Sequence, residues 1–386
     1  MLIGLSSRCL TALSFCLLIS VHVFATEVTL QRVPNGGIQP QGMVDSKGVL
    51  HLIYFKGEPP AGDVFYVQSK DDGVTFSDPL RVNSQPSSAI ALGTIRGARL
   101  ALGKNGRVHV AWNGSNAAEP KGPKKETPML YTRLNDAGTA FEPQRNVIST
   151  HYGLDGGGAV AADEKGNVYV FWHGQGEPGV PGEELRRAWV ARSSDDGKTF
   201  AAETAAIGEK TGACGCCGMS AATDASGNVF ALYRAATEKV QRGMVLISSK
   251  SGGGFSGTKL DTWQLNQCPM SSSVFYESPM GLECAWENNG QVFFTHFGSD
   301  LKPASPVAAP GAGRGRKHPA LALNAAHETL FVWTEGTGWD RGGSLAWQAY
   351  DKDGKPTAVK GTNAGIPKWS FAATFPNSKG GFTILY

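Results

Sequence analysis

The sequence predicts an all-β protein, a β-propeller of four-stranded antiparallel blades, on three observations. Fifty glycines, many in Asn-Gly and Asp-Gly turns, punctuate a chain with no long stretch of 3.6-residue hydrophobic period. A hairpin made of an apolar strand, a glycine turn and an alternating strand ending in an aromatic residue recurs seven times. The spacing of these hairpins falls from about sixty residues to about fifty, as expected of four-stranded propeller blades.

In chain order, residues 1–25 read as a secretory signal peptide. Arg8 precedes the apolar run Leu10 to Phe24, and Val23-Phe24-Ala25 offers a small-residue cleavage site. That run of about fifteen residues is short for a membrane span. The expectation is export to the periplasm or the medium, with 26–386 forming one propeller domain and no membrane span. With 36 Lys and Arg against 33 Asp and Glu, the net charge of +3 points to neither nucleic acid nor a membrane surface as partner.

The first hairpins are Met43 to Tyr54 and Leu102 to Trp112, and later ones end at Trp172, Tyr233, Trp286, Trp333 and Tyr386. Calling the strands of each unit A to D, these are the A–B pairs. Ser69-Lys70-Asp71-Asp72-Gly73-Val74-Thr75-Phe76 and Ser193-Ser194-Asp195-Asp196-Gly197-Lys198-Thr199-Phe200 lie in the C–D pairs between them, both reading S-x-D-x-G-x-T-F. Remnants stand at Asn135 to Gly138, Ser248 to Gly254 and Asp351 to Gly354. The last hairpin, Trp369 to Tyr386, has no C–D pair, whereas Glu27 to Val33 is a lone strand at the other end. Joining the two predicts seven blades with the last closed by both termini; six blades is the alternative.

The two boxes resemble the Asp-box of sialidase-like propellers, a family of exo-sialidases, other glycosidases and non-catalytic binding proteins. The resemblance implies that the boxes are fold elements on the face away from the ligand, so Asp71 and Asp195 are not catalytic candidates. It also implies three arginines holding a carboxylate, an acid/base aspartate, and a glutamate–tyrosine nucleophile pair. Here Ile38 stands at the first arginine position, Arg234 fits the second, and Glu287-Asn288-Asn289-Gly290 occupies the third. Glu58 and Asp63 lie where the acid/base belongs, but the A strand Gly218 to Ala222 has no glutamate and the one starting at Lys317 has no tyrosine. Sialidases work through a tyrosine nucleophile, so the known route is missing.

The D-to-A and B-to-C loops share the ligand face and carry Arg96, Arg234, Arg242, Arg314, Arg316, Lys317, Arg341 and Lys368, cations suited to carboxylate or sulfate groups. Arg96, Arg234, Arg316 and His318 are the ligand-binding candidates. Glu58, Asp63 and Asp155 are the catalytic candidates if the protein is a glycoside hydrolase on an acidic glycan. Cys214-Gly215-Cys216-Cys217 and Cys268-Pro269-Met270 open adjacent units on the same face. A disulfide from Cys216 or Cys217 to Cys268 is one reading, and a thiolate site for copper(I) or zinc with Cys214, Cys216 or Cys217, Cys268 and His318 or His151 is the other. Cys284 is expected to be a buried free thiol, and no other cofactor is expected. The sequence thus describes a propeller that binds a glycan or glycoprotein, with an anionic ligand suited to its cations, and a hydrolase as the alternative.

Overall fold

The computed structural model describes residues 26–278, 281–298, 300–311, 313 and 315–386. The expected signal peptide and Arg314 lie outside the described residues. Among those residues no helix is long and apolar enough to cross a membrane.

Seven sheets form a ring, the blade number expected. Strands A to D of blade one are Ile38–Val44, Leu50–Glu58, Ala61–Ser69 and Leu80–Arg81. Blade two is Arg99–Leu102, Val108–Asn113, Met129–Arg133 and Arg145–Asn146, and blade three is Gly158–Ala162, Val168–Gly174, Arg187–Ser193 and Thr204–Ala205. Blade four is Ser220–Thr223, Val229–Arg234, Met244–Ser249 and Phe255–Lys259, and blade five is Ser273–Ser278, Gly281–Asn288, Gln291–His296 and Val307–Ala308. Blade six is Arg316–Leu323, Thr329–Glu335, Gly343–Tyr350 and Pro356–Ile366. The A strands touch one another around the axis.

Blade seven pairs Ala373–Pro376 with Phe382–Leu385 and adds Val28–Gln31, so both termini close it, with three strands. Val28–Gln31 runs parallel to its neighbour, Val28 opposite Phe382 and Leu30 opposite Ile384. Direction follows from connectivity. A strands start on the loop face, so the strand feeding blade one must end there, and a B strand ends there too.

One apolar cluster fills each interface between neighbouring blades. Trp112 and Tyr66 belong to the cluster between blades one and two, Phe171 and Tyr233 to that between three and four, and Leu385 and Tyr54 to that between seven and one. The alternation read from the B strands thus sends successive side chains to opposite neighbours.

The two S-x-D-x-G-x-T-F segments form near-identical turns on the far face. Asp71 Oδ1 accepts from the Thr75 amide at 2.9 Å and Oδ2 from its hydroxyl at 2.6 Å; Asp195 and Thr199 repeat both distances. Gly73 and Gly197 take φ of 83° and 76°, a region that favours glycine. The expected loop Lys56 to Asp63 is instead a tight extension of the B–C hairpin, with only Pro59 and Pro60 between strands. The D-to-A segments at Gly37 to Pro40 and Gly311 to Pro319 run partly as strand, each with a register shift before the proline. Proline cannot supply the ladder donor there.

Candidate functional site

Where the A strands begin, the ring encloses an axial cavity of about 120 Å³ lined at its loop end by Arg99, Ser220, Ser272, Ser273, His318 and Phe371. Arg99 opens strand A of blade two and lines this cavity, with Nη2 beside Gly218 of blade four. Its guanidinium has no hydrogen bond or ion pair among the described residues. Burial pulls its guanidinium down to about 10, the mark of a desolvated cation without a counter-ion.

The rim is built from strained backbone. Gln39, Thr94, Met270, His318 and Trp369, all on D-to-A connections or first A-strand turns, have φ between 48° and 59°. Each costs about 1 kcal/mol or more in a side-chain-bearing residue, and such strain persists only where surrounding contacts fix it. His318 is fixed by Ser272 Oγ at 3.0 Å from Nδ1 and Thr94 Oγ1 at 3.2 Å from Nε2, and burial lowers its pKa to about 3. Gln39 Nε2 donates to the carbonyls of Ala91 at 2.6 Å and Trp369 at 2.8 Å. These bonds tie connections of different blades to one another around the mouth.

Trp339, on the B-to-C loop of blade six, is 51 % exposed. It reaches across to blade two: a Cβ added at Gly93 would stand 2.8 Å from the Trp339 ring, 3.1 Å from Arg96 Nη1 and 3.3 Å from Met270 Cε. An exposed indole, a guanidinium and a thioether therefore meet at the mouth. Sequence reasoning misses this residue because its loop reads as ordinary polar turn; the available signal is a tryptophan in a glycine-rich stretch, Gly336 to Gly343. It misses Arg99 because that residue sits at a strand start rather than in a loop.

Beside the mouth, the loops opening blades four and five are joined by a disulfide between Cys216 and Cys268, Cα atoms 6.2 Å apart. Cys214, Cys217 and Cys284 are free and buried. Cys214 Sγ lies 2.9 Å from Cys217 Sγ and 3.5 Å from Cys216 Sγ. Burial pushes the Cys217 thiol up, but the Cys214 thiol, the Arg234 charge and the Ser271 hydroxyl outweigh it and bring it down to about 6. Cys214 moves the other way, well up. Arg242 Nη1 donates to Cys214 Sγ at 3.0 Å and Nη2 pairs with Glu183 at 2.7 Å.

Of the predicted residues, His318 lines the cavity and Arg96 stands at its mouth, whereas the others are distributed around this centre. Arg234 is 1 % exposed, and its donors go to Ser271 Oγ at 2.7 Å, the Arg242 carbonyl at 2.5 Å and the Glu287 carbonyl. Arg96 pairs with Asp155 at 2.7 Å and also donates to the Asp155 and Leu92 carbonyls. Arg316 is bound by Glu335, Gln291 and the carbonyls of Ala309 and Pro310 at the blade five–six edge. Asp63 Oδ1 accepts from Asn83 Nδ2 and the Ser87 amide, both at 2.7 Å, and Glu58 is exposed at the end of a B strand. Glu287, with Lys317 at 3.6 Å, is pushed up to about 7 by burial, but it is 2 % exposed.

No family model and no curated protein matches the sequence. Solved structures match the fold. A protein of unknown function from Dyadobacter fermentans aligns with TM-score 0.53 and 14% identity over 89% of this chain and 98% of that one. An α-L-arabinanase of Penicillium chrysogenum, solved with arabinobiose, aligns with TM-score 0.53 and 15% identity over 85% and 98%. The NanB sialidase of Streptococcus pneumoniae aligns with TM-score 0.51 and 10% identity over 84% and 67%. At such identities the likeness is one of fold: this chain has a sialidase-like propeller fold, as the Asp-boxes led one to expect.

Proposed function

We propose that the protein is an exported, non-catalytic glycan-binding propeller that receives an acidic oligosaccharide at the axial mouth. The observation that carries this reading is Trp339, an exposed indole held over the rim by blade two, where a sugar ring can stack on its face. Arg99 supports the acidic character, because its cation alone among Arg96, Arg99, Arg234 and Arg316 is without a protein partner among the described residues. The arabinanase and sialidase neighbours support a carbohydrate ligand at the level of their shared fold.

Glycoside hydrolysis remains the alternative, with Glu58, Asp63 or Asp155 as acid/base. It is disfavoured because Asp63 is tied to Asn83 and Ser87, Asp155 to Arg96, and Glu58 stands on an exposed strand end in blade one. Outside the tyrosine-dependent sialidases, a glycosidase of the common type needs two carboxyl groups facing one pocket at a fixed separation.

A glycan array run with the wild type, Trp339→Ala and Arg99→Met tests the proposal. Trp339 is exposed, so its removal leaves the fold intact and should cost binding at least about tenfold, the loss of about 1.4 kcal/mol. Arg99→Met should lose acidic ligands while retaining or raising thermal stability, because it removes an uncompensated, half-buried charge. Binding that survives both changes, or turnover of a chromogenic sialoside or arabinoside, would overturn it.

A further inference from the structure

The cysteine loops hold chemistry that glycan binding does not use. The sulfurs of Cys214, Cys216 and Cys217 lie within 4.8 Å of one another. Cys216 is committed to Cys268, which leaves Cys214 and Cys217 as a buried dithiol three residues apart with sulfurs 2.9 Å apart. Sulfurs so close share a proton, a covalent bond or an ion.

We infer that Cys214 and Cys217 form a two-thiolate site for a soft monovalent metal ion of the Cu(I) class. Thiolate donors select soft ions over hard ones. Charge then discriminates among the soft ions. A monovalent ion between two thiolates has a net charge of −1, and this pocket is built to hold an anion. Arg242 Nη1 already donates to Cys214 Sγ, and Arg234 reaches Cys217 through Ser271, whose hydroxyl is 2.7 Å from Arg234 Nε and 3.5 Å from Cys217 Sγ. Of the nearby carboxylates, Glu183 is turned to Arg242 and the Gly215 amide, and Glu287 pairs with Lys317.

Zinc is poorly served by the same residues. It takes four ligands in structural sites and at least three protein ligands in catalytic ones. The Cys216–Cys268 disulfide withholds two sulfurs, and His173 Nε2 is spent on the Cys217 carbonyl at 3.1 Å. The disulfide is the more exposed pair, Cys216 half-buried and Cys268 exposed, whereas Cys214 and Cys217 are buried. Binding is a simple exchange: each sulfur that carries a proton releases it to solvent and two sulfur–metal bonds form, with no change in oxidation state. The sulfurs separate by side-chain rotation to admit the ion.

The test uses the intact mature protein under anaerobic conditions with Cu(I) supplied as its bicinchoninate complex. Transfer of one Cu(I) per chain, seen as bleaching of the complex, is expected for the wild type and for Cys284→Ser, and loss of transfer for Cys217→Ser. Because Cys217 is in the core and its substitution puts folding at risk, copper-edge X-ray absorption of the wild-type complex provides the second measurement, with two sulfur neighbours expected. No transfer to the wild type, equal transfer to a folded Cys217→Ser, or nitrogen and oxygen neighbours would overturn the site. So would an intact mass showing a Cys214–Cys217 disulfide in protein purified without added oxidant.

Discussion

Glu283 shows most directly how burial at a single position becomes a measurable property. It sits in strand B of blade five with Oε2 buried and unpartnered, while Oε1 accepts from the Thr329 hydroxyl at 2.8 Å. Burial pushes its pKa from an ordinary 4.5 up to about 7. The folded state therefore holds a proton that the unfolded state has released between those two values. Stability from this group is complete below about pH 4.5 and is lost as pH rises through 7. Glu283→Gln keeps the shape without the charge. It should leave Tm unchanged at pH 4 and raise stability at pH 8 by about 3 kcal/mol, from 1.36 kcal/mol per pKa unit. Equal denaturation midpoints at pH 8 would show that the carboxylate finds compensation. Arg99 follows the same logic with a different consequence, because its desolvated charge faces a cavity a ligand can enter. Neither residue announces its burial in the sequence: Glu283 lies in an alternating strand with ordinary neighbours, and Arg99 at the start of one.

At the scale of the turn and the loop, short-range pattern was legible and long-range partnership was not. The S-x-D-x-G-x-T-F boxes were readable because the side-chain bonds of the first Asp with its Ser and Thr are made within five residues. What the second aspartate does was hidden. Asp72 accepts from the amide and hydroxyl of Ser378 at 2.9 and 2.6 Å, and Asp196 takes Arg133 at 3.1 Å, each thereby fastening its blade to the preceding one. Asp72→Ala should thus lower Tm through the junction of blades seven and one, an exposed contact worth about 1 kcal/mol; an unchanged Tm would show the contact idle. The same division explains the site. That Cys268 pairs within the C-x-C-C loop was readable, but the choice of Cys216 was not. Arg234 looked like a free loop cation, yet its acceptors come from residues 37 and 53 positions away. The disulfide spans a separation of 52 residues, so closing that loop restricts the unfolded chain by about 4 kcal/mol in the chain-entropy description. Cys268→Ser should lower the urea midpoint, and reductant should then have no further effect on it. A wild-type midpoint insensitive to reductant would exclude the staple as a source of stability.

The ring as a whole depends on one strand. Each of seven blades buries its faces against two neighbours, so opening any junction exposes two apolar surfaces at once. The chain itself crosses from blade to blade at all seven junctions, so the one closure left to non-covalent pairing lies inside blade seven. At blade seven, closure rests on Val28–Gln31 beside Phe382–Leu385 and on main-chain bonds from Phe382 to Glu27 and between Tyr386 and both Gln31 and Val33. Val33 adds its side chain to the apolar cluster that holds Phe375 of blade seven and Tyr54 of blade one. This closure was legible because the count of hairpins left one without outer strands and one strand without a hairpin. Its parallel direction follows from where the next strand must begin. Removing residues 26–33 should leave strand Phe382–Leu385 as a bare apolar edge, the kind that pairs with other chains. The truncated protein is expected to unfold at lower temperature and to elute as oligomers where the full chain does not. If instead it stays at the size of the full chain and melts with it, the ring is held by the packing of blades one, six and seven alone, and the shared blade is a consequence of closure rather than its cause.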